Sequence, residues 1–289
     1  MSDDPFARHR SLLFTVAYEM LGSASDAEDV VQETWLRWVD VDHATVRDPR
    51  AYLVRIVTRQ ALNRLRSVAR RREEYVGEWL PEPLVTGPDV AADVELAESV
   101  SIAMLTVLET LGPAERAVFV LREVFETPYD EIAAALGKTP AAVRQIAHRA
   151  RDHVAARRPR MPVSTTEQQE VVERFLAAIR DGEVQGLLDV LAPGVVLVSD
   201  GGGVVAAARQ PIEGAERVAR LLINGLRSVD FETAPIWLNG SPALRIDVGG
   251  TVDTAVSLAV EDGRITRLYA VRNPRKLAGL DGVAALTRS

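Results

Sequence analysis

The side chains best suited to binding chemistry lie on one face of a helix-forming stretch. They recur at helical spacing, and they are Arg144, Gln145, His148 and Arg151. Arginine and glutamine form paired hydrogen bonds with guanine and adenine edges in the major groove of DNA. We therefore predict that this face contacts duplex DNA. The alternative is an ordinary helical hairpin whose charged side chains face solvent.

Two helices joined by a tight turn must position that face. Residues 129–136 favour a short helix, which Gly137 ends because glycine adopts the left-handed conformation without a Cβ clash. Thr139 then caps the next helix, and Pro140 occupies its first turn, where a missing N–H costs nothing. The apolar face of this second helix contains Val143, Ile146, Ala147, Ala150 and Val154. Such an arrangement is typical of a helix-turn-helix.

A second cluster of cationic side chains lies on a predicted helix from Arg50 to about Arg72. Arginines at this density repel one another unless a polyanion neutralises them, and nucleic-acid phosphate is the usual polyanion. A membrane surface is the alternative, but the apolar face is small and lacks the bulky side chains of an interfacial helix. We therefore predict a second nucleic-acid contact and no membrane contact. The polar side of this helix carries Arg55, Arg59, Asn63, Arg64, Arg66 and the run Arg70, Arg71 and Arg72.

The charge of the chain is segregated, which reconciles a net charge of −7 with nucleic-acid binding. Residues 47–72 carry nine arginines and one acid, residues 138–165 carry seven bases and one acid, and residues 73–137 carry two bases and fourteen acids. Two basic segments around an acidic one suit two DNA contacts. The sequence has no cysteine, which excludes disulfides and thiolate chemistry. We predict no metal and no cofactor, and expect a soluble, cytoplasmic protein, since there is no signal peptide or long uncharged apolar run.

Two further helices are predicted before the arginine-rich one. Residues 6–21 form the first, and Ser25 with Glu28 is predicted to form the capping box that opens the second. The spacing of Trp35 and Trp38 favours core side chains over base-stacking platforms. The outward face of the second helix carries Asp26, Asp29, Gln32 and Glu33. Taken by itself, an acidic helix face is usually solvated.

Resemblance to a known family rests on three stretches: DAEDVVQETWLRW, DPRAYLVRIVTRQALNRLR and LGPAERAVFVLREVFETPYDEIAAALGKTPAAVRQIAHRAR. They are similar to regions two and four of an extracytoplasmic-function (ECF) sigma factor, and the resemblance covers residues 6–157. It implies a subunit that binds bacterial RNA polymerase core and directs it to promoter DNA.

The resemblance also implies a role for each polar face. The outward face of the second helix would contact polymerase through Asp26, Asp29, Gln32 and Glu33. The arginine-rich helix would hold the melted downstream promoter element through Arg55, Arg59, Asn63 and Arg66. The helix-turn-helix would read the upstream element as duplex through Lys138, Thr139, Arg144, Gln145, His148, Arg149 and Arg151. Arg59 and Asn63 depart from the Asn and Asp that the family usually carries at these places.

Residues 73–92 are predicted to be a non-helical linker, because they contain three prolines and two glycines. Within the linker, WLPEPL is too apolar for an inert spacer; it either packs on a neighbouring helix or docks elsewhere. WLPEPL, DGGG at Asp200–Gly203 and NPRKL at Asn273–Leu277 resemble the motifs of the SigJ-like subgroup, which carries a fused C-terminal SnoaL-like domain; Arg275 stands where an acid is usual. The predicted regulatory interdomain residues are Trp79, Leu80, Pro81, Asp200, Gly201, Gly202, Gly203, Asn273 and Pro274.

The pattern of predicted secondary structure changes after a second predicted linker at residues 158–165. Helices are predicted at 166–180, 184–191 and 213–226, with strand-like runs at 195–199, 204–208, 231–238, 243–248, 251–260 and 265–271. Helices followed by mostly antiparallel strands indicate an α+β domain, and the order is similar to the SnoaL-like (NTF2-like) fold. The expected architecture is multidomain: an all-α N-terminal half, with a region 2 domain at 1–72 and a region 4 helix-turn-helix domain at 93–157, then an α+β cone with a curved antiparallel sheet at 166–289.

An enzyme is not predicted for the C-terminal domain. Acid–base catalysis near neutral pH favours histidine, and all four histidines lie at or before residue 153. Carboxylates such as Asp200 and Asp253 can act as bases if their pKa is raised, but an aspartate before three glycines more simply makes a tight turn.

Three functions therefore compete. The first is a sigma factor modulated in cis by its C-terminal domain; the resemblance to the SnoaL-like fold implies a pocket there and leaves a small-molecule ligand open. The second is a one-component helix-turn-helix regulator with a ligand-binding pocket, which leaves the arginine-rich helix unexplained. The third is a cyclase- or isomerase-type enzyme fused to a DNA-binding module, which leaves most of the first 157 residues unexplained. The sigma factor accounts for all of them.

Overall fold

Local sequence signals set the helix boundaries of the N-terminal half. The computed structural model describes residues 4–73, 75–157, 164–227 and 229–288, with the backbone alone over 68–73. The side chains of Arg70–Arg72 and the predicted linker residues 158–163 therefore lie outside the described set. The helices are α1 (Pro5–Leu21), α2 (Ala24–Val39), α3 (Pro49–Glu73), α4 (Pro88–Ala92), α5 (Val94–Val100), α6 (Ile102–Leu108), α7 (Pro113–Phe119), α8 (Tyr129–Leu136) and α9 (Pro140–Ala155), with strand β1 (Val85–Thr86) before α4.

The C-terminal part begins with two helices and continues mainly as strands. The described elements are α10 (Thr165–Asp181), α11 (Val184–Val190), β2 (Leu191–Asp200), β3 (Ile212–Glu213), α12 (Ala215–Leu226), β4 (Phe231–Leu238), β5 (Ser241–Val248), β6 (Thr251–Glu261), β7 (Arg264–Val271), α13 (Pro274–Leu277) and β8 (Val283–Ala284). None of the helices in the described part of the chain is both long and apolar enough to cross a membrane.

The chain forms two compact units that do not follow the order of the sequence. The first unit contains Met1–Glu73, Met104–Arg158 and Ala285–Ser289, and the second contains Glu74–Ala103 and Pro159–Ala284. The segment predicted as the first linker thus belongs to the same unit as the C-terminal domain.

The first unit is all-α, and α1 forms its centre. Leu12, Leu13 and Val16 are completely buried against the neighbouring helices. Asp4 caps α1 by accepting a hydrogen bond from the Phe6 N–H at 3.0 Å. This buried helix explains why the first unit needs no sheet to form a core.

Two expectations for α2 are wrong. Ser23, and not Ser25, caps this helix, since the Ser23 hydroxyl accepts from the Asp26 N–H at 3.2 Å. Trp38 is 1% exposed, as predicted for a core side chain, but Trp35 is 42% exposed. The apolar stripe is narrower than predicted, because Trp35 lies at its edge.

The second unit is built on an eight-stranded sheet of described strands in the order β3-β2-β7-β6-β5-β4-β1-β8. Most neighbours are antiparallel; β2 with β7 and β1 with β8 are parallel. One sheet face packs on the apolar sides of the helices, with Phe175 and Leu187 among the buried residues. The other face covers Leu80 and Ile102 from the segment 74–103. An α+β domain with a mainly antiparallel sheet was predicted, and this is the observed fold.

Two predictions of local structure fail in this unit. The first linker contains a short strand, β1, and a short helix, α4, although its prolines and glycines were expected to prevent helix. Residues 204–208 form no strand, because the main chain turns after Asp200 and Arg272 donates to the Ala206 carbonyl from one side, at 2.6 Å. β1 and the loop at 204–208 arise from contacts with distant parts of the chain, whereas α4 begins locally, with Pro88 in its first turn.

Candidate functional site

The helix-turn-helix presents the predicted basic face to solvent. Gly137 ends α8 in the left-handed conformation, with φ 63°, and the Thr139 hydroxyl accepts from the Ala142 N–H at 3.2 Å to begin α9. Val143, Ile146, Ala147, Ala150 and Val154 are buried, which fixes the rotation of α9. The seven predicted upstream-element residues are all exposed: Lys138, Thr139, Arg144, Gln145, His148, Arg149 and Arg151.

Acidic neighbours divide this face into two parts. Arg149 pairs with Glu115 at 3.5 Å, and Arg151 pairs with Glu123 at 3.4 Å. Exposed ion pairs of this kind contribute about 0–1 kcal/mol, so phosphate can replace the carboxylates. Arg144 instead lies over the ring of Tyr129, with its guanidinium carbon 5.5 Å from the ring centroid. Tyr129 therefore lies beside Arg144, one of the residues predicted to read a base.

The four predicted downstream-element residues of α3 have different surroundings. Asn63 and Arg66 are exposed, and Arg55 lies over the Tyr52 ring at 5.1 Å. Arg59 is also exposed, but it donates hydrogen bonds to the end of α8 from two of its nitrogens. The helix therefore exposes Asn63 and Arg66 to solvent and keeps Arg55 partly buried. It directs Arg59 toward a protein acceptor.

The predicted polymerase-binding acids of α2 are partly held by α3. Arg64 pairs with both Asp26 and Asp29, and its Nε lies 2.9 Å from the Asp26 carboxylate. Glu33 accepts a hydrogen bond from the Gln60 amide at 2.9 Å. These contacts fix the acids as a row on the surface. The fourth residue, Gln32, is exposed and lines a small cleft between α1 and α2.

The predicted regulatory residues meet around one buried carboxylate in the second unit. Asp200 is completely buried at the end of β2. Its Oδ1 accepts from the Tyr75 hydroxyl at 2.7 Å and the Gly202 N–H at 2.9 Å, and its Oδ2 accepts from the Leu80 N–H at 2.9 Å and the Lys276 ammonium at 2.7 Å. Two of these four donors belong to the segment 74–103. We call this group the Asp200 cluster.

Aromatic rings from the same segment enclose the Lys276 ammonium. Its Nζ lies 4.0 Å from the Trp79 ring centroid and 5.2 Å from that of Tyr75, and it also donates to the Leu80 carbonyl. A cation over an aromatic face is attracted more strongly when both are shielded from water. Burial, together with the hydrogen bond to Asp200, raises the pKa of the Tyr75 phenol, so Tyr75 stays a neutral donor.

The glycines after Asp200 permit close approach. A Cβ on Gly202, which has φ 63°, would lie 2.3 Å from the Asn273 amide nitrogen, and one on Gly203 would lie 3.1 Å from the Val76 Cβ. Asn273 donates to the Tyr75 hydroxyl at 2.8 Å and caps α13 with its side-chain oxygen. Among the remaining predicted residues, Gly201 lies in the turn after β2, Leu80 and Pro81 are buried, and Pro274 is exposed at the start of α13.

A second contact with the segment 74–103 lies in the turn between β4 and β5. The side chain of the fully buried Asn239 accepts from the Leu84 N–H at 2.9 Å and donates to the Val100 carbonyl at 2.8 Å. The Gly240 N–H donates to the Thr86 hydroxyl at 2.9 Å. The C-terminal domain thus holds this segment at two places.

Comparison with known proteins places both helical parts in a single family. Residues 6–72 match Sigma-70 region 2, and residues 101–154 match Sigma-70 region 4. The ECF RNA polymerase sigma factor SigJ of Mycobacterium tuberculosis is 36% identical over 96% of this chain and 94% of its own length. The probable ECF RNA polymerase sigma factor SigI of the same organism is 32% identical over 93% and 92%. The chain belongs to the ECF sigma factors.

The architecture of this sigma factor agrees with a solved relative. The crystal structure of the Mycobacterium tuberculosis ECF sigma factor SigJ superimposes with a TM-score of 0.76 at 34% identity, over 95% of this chain and 98% of that chain. The predicted fold class, with an all-α half and an α+β SnoaL-like domain, is confirmed. The sigma factor is a transcription initiation factor and not an enzyme, so the predicted function class is also confirmed.

Sequence reasoning missed four residues that this sigma factor places at the sites. Tyr75 and Lys276 complete the Asp200 cluster, Asn239 holds the linker, and Arg64 joins the acids of α2 to α3. Lys276 lies within the quoted NPRKL stretch, and Tyr75 lies four residues before WLPEPL, which was the available signal. Asn239 precedes a glycine between two strands, a pattern that indicates a turn and gives no sign of a long-range contact.

Proposed function

We propose that this sigma factor binds core RNA polymerase through α2, contacts the downstream promoter element through α3 and the upstream element through α9, and is modulated in cis by its C-terminal domain. The observation that carries the modulation is the Asp200 cluster. A completely buried carboxylate accepts hydrogen bonds from Tyr75 and Leu80, both of which lie between the two helical domains in sequence.

The held segment limits how far the two helical domains can separate. Residues 74–103 connect them and belong to the second unit. A free chain of this length could extend to roughly 100 Å. Because the Asp200 cluster and Asn239 fix this segment, most of that reach is removed. Release of the segment would restore this reach. A difference of a few kcal/mol between the contacts of the held and the released state is enough to change which of the two dominates.

The outer side of α2 suits a protein partner. Next to the acidic row lie three exposed apolar side chains, Trp35 at 42%, Leu36 at 54% and Val39 at 55% exposure. An apolar patch edged by charges is typical of a protein-binding surface. We therefore assign this side of α2 to core polymerase, with Asp26, Asp29, Gln32 and Glu33 at its edge.

The modulation can be tested by removing one contact of the Asp200 cluster. Trp79→Ala deletes the aromatic ring over the Lys276 ammonium, and a contact of this kind typically contributes about 1 kcal/mol. Its loss should shift the equilibrium between the held and the released state of residues 74–103 about fivefold toward release. We expect Trp79→Ala with core polymerase to give several-fold more transcript than the parent protein, on a template from which the parent also directs transcription. The matched control is Arg275→Ala, an exposed residue on α13 beside the cluster. Equal transcript from the parent, the control and Trp79→Ala would refute modulation through this contact.

A further inference from the structure

Arg59 makes the most unexpected contact of the predicted promoter-binding residues. Its Nε donates to the Ala135 carbonyl at 3.0 Å, and its Nη2 donates to the Ala134 carbonyl at 2.8 Å. Both carbonyls belong to the last turn of α8, where helix geometry leaves oxygens without an intrahelical partner. The end of a helix also carries partial negative charge, which favours a guanidinium. A residue of the downstream-element helix therefore caps the first helix of the helix-turn-helix.

A second arginine makes the reciprocal contact within the same unit. Arg116 of α7 is 1% exposed, and its Nε donates to the Glu19 carbonyl in the last turn of α1 at 3.0 Å. Each helical domain thus supplies an arginine to a helix end of the other. Beside the Arg59 contact, a cleft of about 430 Å³ remains between α3 and α8, lined in part by Arg55 and Glu131. Packing here is incomplete, which makes separation of α3 from α8 less costly than opening a closed core.

We propose that Arg59 is a two-way switch residue that either caps α8 or contacts promoter DNA, so that packing of the two helical domains and binding of the downstream element exclude each other. This inference rests on the proposed assignment of α3 to the downstream element. The same guanidinium nitrogens that donate to the Ala134 and Ala135 carbonyls are those that would donate to phosphate or to a base. In the packed state, the guanidinium of Arg59 is bonded to the carbonyl oxygens at the end of α8 instead of to nucleic acid.

The surroundings of Arg59 suit exchange. The side chain is exposed, so its hydrogen bonds compete with water and contribute little each. A polyanion brings several phosphates to α3 at once, with its neighbours Asn63 and Arg66 also exposed. DNA can therefore displace the two carbonyls.

A thiol reporter measures this switch directly, because the natural chain has no cysteine. Ala135 is 6% exposed and lines the cleft between α3 and α8. The rate at which Ala135→Cys reacts with a thiol reagent then reports how often α8 separates from α3. We expect Arg59→Ala to raise this rate about threefold to tenfold and Arg59→Lys, which cannot donate through a planar fork, to raise it less. The control Arg50→Ala, an exposed arginine on the same helix outside the predicted downstream-element set, should leave it unchanged.

A second arm adds a short single-stranded oligonucleotide of random sequence. It should accelerate labelling in the parent and in Arg50→Ala, and have little further effect in Arg59→Ala. Equal labelling of the parent and Arg59→Ala without DNA would overturn the capping role, whatever the function of α3. Acceleration by DNA that is as large in Arg59→Ala as in the parent, or absent from both, would overturn mutual exclusion. Neither outcome depends on transcription, so failure of the Arg59 switch can be distinguished from failure of the proposed modulation by the C-terminal domain.

Discussion

Asp200 illustrates how one side chain can decide between a catalytic and a structural role. A carboxylate base needs an oxygen open to substrate, but both oxygens of Asp200 already accept two hydrogen bonds each. Lys276 balances its charge at 2.7 Å. A buried pair of this kind is strongly destabilised when one partner is removed, since the other charge is left unpaired. The arrangement therefore favours holding the linker over chemistry.

Asn239 gives a test of linker holding at a single residue. We predict that Asn239→Gly lowers the free energy of unfolding by about 2–4 kcal/mol, because the Leu84 N–H and the Val100 carbonyl lose their partner in a buried site. Glycine accepts the positive φ of 52° at this position, so backbone strain does not contribute. Urea unfolding followed by circular dichroism measures the change.

A matched control exists in another turn of the same sheet. Asp262 also has a positive φ, of 50°, but it is exposed. We expect Asp262→Gly to change the free energy of unfolding by no more than about 0.5 kcal/mol, or to stabilise slightly. If the two substitutions had equal effects, the side-chain hydrogen bonds of Asn239 would not be the cause.

At the level of single residues, the sequence predicts features that depend only on neighbouring residues, such as turns and helix caps. Gly137, Thr139 and Pro140 place the turn and the start of α9 correctly, because capping depends only on neighbours along the chain. Tyr75 and Asp200 are 125 residues apart, so no local pattern reveals their hydrogen bond. The motif resemblance identified Asp200 together with two of its donors, Leu80 and Gly202, but not Tyr75.

At the level of elements, α2 and α3 act together. Arg64 and Gln60 of α3 orient the acids of α2. The helix predicted to contact DNA therefore also positions the surface predicted to contact polymerase.

Charge reversal on α2 separates a polymerase contact from a solvated surface. We predict that Asp29→Lys weakens core binding about tenfold while folding is nearly unchanged, since Asp29 is exposed and its pair with Arg64 contributes little. Glu28→Lys, the adjacent exposed acid, makes the same change in net charge. Binding to labelled core polymerase at fixed ionic strength measures both. If both variants bind equally, the effect is general electrostatics, and the assignment of Asp29 fails.

Elements defined by periodicity were predictable, and elements defined by tertiary contact were not. α10, with its stripe through Phe175, repeats every three to four residues and was predicted within one residue at each end. The apolar run 204–208 alternates poorly and becomes a loop. β1 is only two residues long and exists because Val85 pairs with Leu238 of β4 and Val283 of β8. Such a strand has no signal of its own.

At the level of the whole molecule, the chain passes repeatedly between two units. The part between the helical domains is incorporated in the sheet unit, where Leu80 and Ile102 join its apolar core. The motif resemblance predicted a contact between the WLPEPL stretch and the C-terminal domain, but not that residues 74–103 would belong to the same compact unit as that domain. Along the chain, the two helical domains are connected by this held segment, so its release is the step on which the proposed modulation depends.

The most direct measurement of that step locks the segment by a reversible covalent bond. A Cβ on Gly203 would lie 3.1 Å from the Val76 Cβ, slightly below the usual disulfide separation of about 3.5–4.5 Å, so Val76→Cys with Gly203→Cys can pair after a small shift. Gly203 has φ 69°, where a cysteine is strained, so the single Gly203→Cys variant also controls for that strain. The natural chain contributes no competing thiol. The two single-cysteine variants control for the substitutions and for the redox reagents.

Transcription by core polymerase is then compared for the oxidised and reduced forms of the same double variant. We expect several-fold less transcript from the oxidised form, recovery on reduction, and no redox effect in either single variant. Equal transcript from the oxidised and reduced forms, with the disulfide verified, would contradict the claim that release of residues 74–103 controls this sigma factor.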